Sequence, residues 1–155
     1  MLILVISIGK EQYGIEAIRV IEVVPLIPLK KVPLADASIK GLFNYRGQPT
    51  PVIDLCQLFE QRPCSDNLST RIVVVNYQNN ISGSPHAVGF IAEHITDVMR
   101  CQPDEMRNSG IADSSNDFLG LIYSGASGMV QLIDTDKILP DSIRHQLMQS
   151  LDQAP

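Results

Sequence analysis

The residues of this chain that could do chemistry are three histidines, three cysteines and a set of carboxylates, and their spacing argues against catalysis. His86, His94 and His145 stand far apart, in no HExxH pattern and beside no cysteine at ligand spacing, so the usual zinc sites are not encoded. Cys56, Cys64 and Cys101 contain no CxxC. An odd count at irregular spacing reads as reduced thiols, with Cys56 and Cys101 packing as small hydrophobes after apolar runs. No GxSxG elbow occurs. Ser124-Gly125-Ala126-Ser127-Gly128 superficially resembles a phosphate cradle but lacks the Gly-Lys-Ser/Thr ending, and it reads as a hairpin turn. Asp54 and Asp134 could be cast as acid and base. Each instead follows an apolar doublet, Val52-Ile53 and Leu132-Ile133, where an aspartate caps the next helix. The expectation is a protein that is not an enzyme and uses neither cofactor nor metal.

One group resists a purely structural account. A tight turn at Asn44-Tyr45-Arg46-Gly47 needs Gly47 but does not need Arg46. Arginine and tyrosine are enriched at interaction hot spots, so this turn is the candidate surface for recognising a partner.

The elements that must position the turn occur twice. Gly14-Ile15-x-Ala17-x-x-Val20-x-Glu22-Val23 recurs as Gly89-Phe90-x-Ala92-x-x-Ile95-x-Asp97-Val98 at one constant separation. Gly41-Leu42-Phe43 leading to Val52-Ile53-Asp54 recurs as Gly120-Leu121-Ile122 leading to Leu132-Ile133-Asp134, with one residue gained between glycine and aspartate. Two blocks in the same order describe one unit built twice. The repeat aligns His94 with Arg19, which makes it a solvated position.

Strand signals dominate each copy. Leu2–Ile8 is apolar and β-branched, and Gly9-Lys10-Glu11 turns the chain into 12–16. Residues 17–24 begin as a helical turn and end as a strand. Pro25, Pro28 and Pro33 then impose an extended connection. Residues 41–45 and 50–55 form a hairpin whose second strand carries Pro49 and Pro51, which places it at an edge or at a bulge. The run 72–77 is almost wholly apolar, as in a strand buried on both faces. Polar stretches at 60–69 and 107–117 read as loops. After Pro140 the tail reads as a helix capped by Asp141, with Ile143, Leu147 and Leu151 on one face. The expected class is all-β with short helices, a pair of small barrels in a single domain over 1–140. Its subdomains divide at about residue 66, and 141–155 forms the tail.

The formal net charge of −5, with scattered basic residues, opposes a nucleic-acid partner. The apolar start lacks a basic n-region and meets Gly9-Lys10-Glu11 too early for a secretory signal. No apolar run is long enough to cross a bilayer, so a cytoplasmic protein with no membrane insertion is expected.

The string Ile39-Lys40-Gly41-Leu42-Phe43-Asn44-Tyr45-Arg46-Gly47-Gln48-Pro49-Thr50-Pro51-Val52-Ile53-Asp54-Leu55 resembles the hairpin signature of the CheW family, the scaffold couplers of bacterial chemotaxis arrays. Its flanks agree: Tyr13-Gly14-Ile15 with Val20-Ile21-Glu22-Val23, then 70–75, then 88–92 with Thr96-Asp97-Val98-Met99. The wording of 43–47 and 92–100 resembles couplers of Wsp-type surface-sensing pathways. The resemblance implies two SH3-like five-stranded β-barrels with a hydrophobic groove between them. It further implies an adaptor that binds the regulatory domain of a CheA-type histidine kinase and the cytoplasmic tip of a chemoreceptor, recruited to membrane-associated arrays. Carried over by motif, Arg46 is the receptor-facing arginine, Asn44 and Gly47 shape its turn, Glu22 lies near it, and Val98 belongs to the groove wall. Tyr45 stands where leucine is commoner, and Pro49 is additional. The competing reading is a β-barrel sensor that takes a small molecule in the inter-barrel groove, against which the few aromatic residues count.

Overall fold

The computed structural model describes residues 1–78, 86–108, 110, 119–125, 128–139 and 141–145. The first copy of the repeat forms β1 (Leu2–Ile8), β2 (Glu11–Glu16), β3 (Val20–Pro25), β4 (Ile39–Tyr45) and β5 (Gln48–Asp54), followed by the short helix α1 (Leu55–Glu60). The second forms β6 (Arg71–Tyr77), β7 (His86–Ala92), β8 (His94–Arg100), β9 (Met106–Asn108), β10 (Leu119–Gly125) and β11 (Gly128–Ile133). A 3₁₀ turn at Ala17–Arg19 precedes β3, as the sequence predicts. The protein is mostly β, with two sheets and few short helices.

The sheets do not follow the copies. One has the order β3-β6-β7-β5-β4, the other β8-β1-β2-β11-β10-β9. Each sheet takes the leading hairpin of one copy and the last strands of the other. Two parallel junctions make the exchange, and they are reciprocal: Val52 of β5 lies opposite Gly89 of β7, and Leu132 of β11 lies opposite Gly14 of β2. The repeated glycines sit at this junction, where a Cβ would lie 3.3 Å from Val130 Cγ1 or Val52 Cγ2 across it, but their tightest contacts are with the partner strand of their own hairpin. A Cβ on Gly14 would stand 2.5 Å from Ile3 Cγ2, and one on Gly89 would stand 2.7 Å from Ile72 Cγ2. The bulges repeat as well, Ile21 of β3 and Thr96 of β8 being the extra residues in their ladders.

The gained residue is also explained. Tyr45 opposite Gln48 and Gly125 opposite Gly128 close the two hairpins, each leaving a two-residue turn. Counted from those tips, Gly120 aligns with Lys40 rather than Gly41, at ladder irregularities between Ile39 and Gly41 and between Leu119 and Ile122. Gly41 has its own reason to be glycine, since a Cβ there would meet the Lys30 carbonyl oxygen at 2.6 Å.

Three details differ from expectation. The polar stretch after residue 105 contributes β9, which pairs with β10 and widens its sheet to six strands. Strand β5 is an interior strand, not an edge. Pro49 and Pro51 are tolerated because the β7 ladder starts only at Val52, so the proline half of β5 pairs with β4 alone. Asp134 caps a turn rather than a helix, its carboxylate accepting from the Asp136 amide.

Strands β1 and β6 are buried on both faces because they separate three cores. Leu4, Ile6 and Ile8 meet Val73, Val75 and Tyr77 in a core shared by the two sheets. Ile72 and Val74 face a private core with Phe43, Tyr45 and Val52, and Ile3 and Val5 face another with Met106 and Val130. The helical turn at 141–145 packs Ile143 into the shared core, while Leu147 and Leu151 lie outside the described residues. Among the described residues no helix is long and apolar enough to cross a membrane.

Because an isoleucine Cγ2 is fixed by β-branching, it cannot swing away from a new methyl group. Gly14→Ala and Gly89→Ala are each expected to cost about 1–3 kcal/mol in urea unfolding, with little change in m-value.

Candidate functional site

The β4–β5 turn is made by Arg46 (φ 52°) and Gly47 (φ 82°), both left-handed, as a two-residue hairpin of primed type demands. Asn44 Oδ1 accepts a 2.8 Å hydrogen bond from the Gly47 amide and fixes the turn from its first flank. Arginine is an unusual first turn residue, because its Cβ costs roughly 1 kcal/mol in this conformation. The backbone here favours Asn, Asp or Gly, and Arg46 is held against that preference.

Its side chain has two partners. The guanidinium lies 5.0 Å from the centroid of the Tyr45 ring, and its Nη2 lies 3.6 Å from Glu22 Oε2. Tyr45 donates to the same Glu22 oxygen at 2.7 Å. Glu22 belongs to β3 and Tyr45 to β4, the two edge strands of the five-stranded sheet, so this carboxylate ties the edges together. The Tyr45 ring packs on Phe43 in the private core. Burial, then the bond to Glu22, raise its phenol above the usual range, with Arg46 opposing. The result is an arginine whose root is fixed while its side chain remains 68% exposed. The structure thus brings together Arg46, Asn44, Tyr45, Gly47 and Glu22.

Val98 is placed elsewhere. It lies on β8, an edge of the other sheet, opposite Leu4, and is 54% exposed. The residues at 126–127, including the position equivalent to Arg46, lie outside the described residues. Sequence reasoning missed the exposure of Ile18, Ile21 and Val23 around β3. Their apolar run imitates a buried strand, whereas Ile18 lies in the 3₁₀ turn and the edge position of β3 leaves Ile21 and Val23 uncovered. His94 is exposed, as its alignment with Arg19 predicts.

A groove of about 700 Å³ lies between the sheets, lined by Ile18, Arg19, Asn76, Leu121 and Leu132 among others. It is mixed in polarity rather than uniformly hydrophobic. Arg19 and Asp136 form an ion pair at its wall, and Asp136 also accepts from the Gln78 amide at 3.1 Å.

A second polar cluster sits where α1 leads into β6. Glu93 receives Arg62 Nη2 at 2.9 Å and Nη1 at 3.0 Å, the Ser65 amide at 2.8 Å and the Gly9 amide at 2.7 Å. Arg62 and these amides hold its carboxyl well below the usual range. Nearby, Asp54 caps α1 as expected, its Oδ1 accepting from the Cys56 and Gln57 amides. Its Oδ2 accepts from the Cys64 amide at 3.0 Å. The reading of Cys56 and Cys64 as reduced thiols is overturned, because the two form a disulfide with a Cα–Cα distance of 5.0 Å. Gln61 in the left-handed conformation reverses the chain after α1, and Asp54 gathers both cysteine amides, which no sequence spacing announces. Cys101 is a buried free thiol, as expected. Among the described residues, Asp54, Cys56 and Cys64 are also the one group whose donor atoms lie close enough to hold a metal. Joined as a disulfide, the two sulfurs are not the thiolates that bind metals, and both Asp54 oxygens accept backbone amides.

The sequence model of the CheW-like domain matches residues 2–142. The chain belongs to the CheW family. Relatives named chemotaxis protein CheW include that of Klebsiella aerogenes, 28% identical over 141 residues covering 88% of this chain and 80% of the relative. That of Bacillus subtilis is 23% identical, covering 88% of this chain and 85% of the relative. The solved scaffolding protein TtCheW from Thermoanaerobacter tengcongensis shares the fold, with a TM-score of 0.79 at 23% identity over 92% of this chain and 89% of its own. CheW-family proteins are non-enzymatic; the relatives are named for chemotaxis, and the solved neighbour is titled a scaffolding protein.

For this CheW-like chain, hairpin geometry and stability should separate. Arg46→Asn is expected to leave urea stability within about 0.5 kcal/mol, since asparagine accepts the left-handed turn and the lost ion pair is exposed. Tyr45→Phe should cost about 1 kcal/mol by freeing the Glu22 carboxylate. The depressed Glu93 carboxyl contributes stability that is full above its unfolded value near 4.5 and is lost as pH falls below it. Glu93→Gln should therefore cost about 1 kcal/mol at pH 7, discounted because Arg62 faces solvent, and flatten the acid side of the stability–pH curve.

Proposed function

We propose that this chain is the coupling adaptor between a chemoreceptor cytoplasmic tip and the regulatory domain of a CheA-type histidine kinase. Membership of the CheW family supports the coupling role. The observation that carries the site is Arg46, exposed yet fixed at its root by Tyr45 and Glu22. An arginine preorganised in this way loses little side-chain freedom on binding, which is what a recognition residue requires. Asn44 and Gly47 set the turn that presents it, and Val98 contributes apolar surface on the other sheet. The receptor's helical tip would lay its apolar stripe against the exposed side chains of the edge strands, and the kinase domain, itself a pair of like barrels, would pair at a sheet edge.

The adaptor would work in the cytoplasm, recruited to receptor arrays, through contacts alone. Receptor bias then reaches the kinase as a coupling free energy across the scaffold. The wording of 43–47 and 92–100 favours a Wsp-type surface-sensing pathway over a swimming one.

Arg46→Ala should weaken binding to a purified receptor-tip fragment about tenfold or more, while binding to the kinase regulatory domain stays within about twofold. Unchanged receptor affinity would remove Arg46 from the site. Failure of the wild-type chain to bind either partner would overturn the coupling role. A deletion strain that swims normally but no longer responds to surface contact would support the pathway assignment, and the reverse phenotype would refute it.

A further inference from the structure

We propose that Cys56 and Cys64 form a reversible dithiol–disulfide pair, a thiol-modification site that controls how firmly the 61–70 connector is held to the end of the five-stranded sheet. The argument begins with Asp54, whose carboxylate binds the Cys56 amide through Oδ1 at 2.9 Å and the Cys64 amide through Oδ2 at 3.0 Å. Both cysteine backbones are therefore fixed by the same side chain without any help from the sulfur bond. The connector has further attachments that do not depend on sulfur. Arg62 and the Ser65 amide bind Glu93, and the Ser69 hydroxyl donates to the Glu93 carbonyl at 2.8 Å. These contacts remain available when the sulfur bond is open, so the bond can close and open without refolding while changing how firmly the connector is held.

Access is asymmetric. Cys56 is fully buried in the shared core, whereas Cys64 lies in the connector, half-buried, with its sulfur near the Ile91 carbonyl. Exchange accordingly begins at Cys64. In the closing direction the Cys64 thiol gives its proton to solvent and attacks one sulfur of a low-molecular-weight disulfide such as oxidised glutathione. A mixed disulfide forms and one glutathione thiolate leaves. The Cys56 thiol then loses its proton and attacks the Cys64 sulfur, which expels the second glutathione. The protein dithiol is oxidised by two electrons, and one glutathione disulfide becomes two glutathione thiols. Opening is the same sequence reversed, with a glutathione thiolate attacking Cys64. A metal is the lesser use of the same atoms, because both Asp54 oxygens already accept backbone amides.

The test uses the whole chain. It is equilibrated in glutathione buffers of graded redox ratio, acid-quenched, alkylated and peptide-mapped by mass spectrometry. Cys56 and Cys64 are expected to gain and lose alkylation together in a single transition, without change at Cys101. No internal disulfide at the most oxidising ratio would overturn the proposal. So would a bond that excess reduced glutathione cannot open, or glutathione retained on Cys64 alone. A reduced chain that binds zinc and thereby shields both thiols from alkylation would replace the redox pair with a metal site. As a second measurement, reduction should lower the melting temperature of the wild type by about 5–10 °C and leave Cys64→Ser unchanged. Equal shifts in the two proteins would overturn the assignment, as would faster hydrogen exchange on reduction anywhere but 61–70.

Discussion

The rest of this structure depends on two strands that must be buried on both faces. Along β1, Ile3 and Val5 face one private core while Leu4, Ile6 and Ile8 face the shared core. Along β6, Ile72 and Val74 face the other private core while Val73, Val75 and Tyr77 face the shared one. Each buried side chain of this size contributes about 1.5–3 kcal/mol, so exposing either face of either strand would be ruinous. In this structure that cover is completed by each copy lending its closing strands to the other. The reciprocal junctions at Gly14 and Gly89 are the points where that loan is made, and the absence of a side chain there lets the neighbouring strands approach.

Once β1 and β6 are central, the edges follow. β3 and β4 close one sheet and β8 and β9 bound the other. Among the edge strands, β3 exposes Ile21 and Val23, β8 exposes Val98, and β4 ends in the conformationally costly Arg46. Glu22 links the two: the carboxylate that joins β3 to the β4 hairpin also anchors Tyr45 and Arg46. A contact that joins the two edge strands therefore also orients Arg46, the residue proposed for recognition. The Lys30–Leu42 bridge, with its two 2.8 Å backbone bonds, covers part of the β4 edge and leaves the hairpin tip as its free end.

At the opposite end of β5, polar groups replace apolar packing as the organising contact. Asp54 and Glu93 each collect several backbone amides, and between them they fix the start of α1, the connector and the β1–β2 turn. Carboxylate oxygens withdrawn from water need hydrogen-bond donors in its place, and these backbone amides supply them. The disulfide adds a covalent tie to a place that these two carboxylates have already assembled.

The sequence by itself determined a great deal. Continuous apolar, β-branched runs marked β1 and β6, the repeat marked two like units, and the signature around Asn44-Tyr45-Arg46-Gly47 located the hairpin. These are local properties, decided by side-chain pattern and by backbone preferences within a few residues. Tertiary structure alone decided which copy supplies which strand, because a repeat looks the same whether its strands stay home or cross over. It alone brought Glu22 to Tyr45, exposed Val23 by placing it on an edge, moved Gly120 into register with Lys40, and joined Cys56 to Cys64. Each of those outcomes depends on where distant segments meet, and long-range pairing leaves no period in the chain.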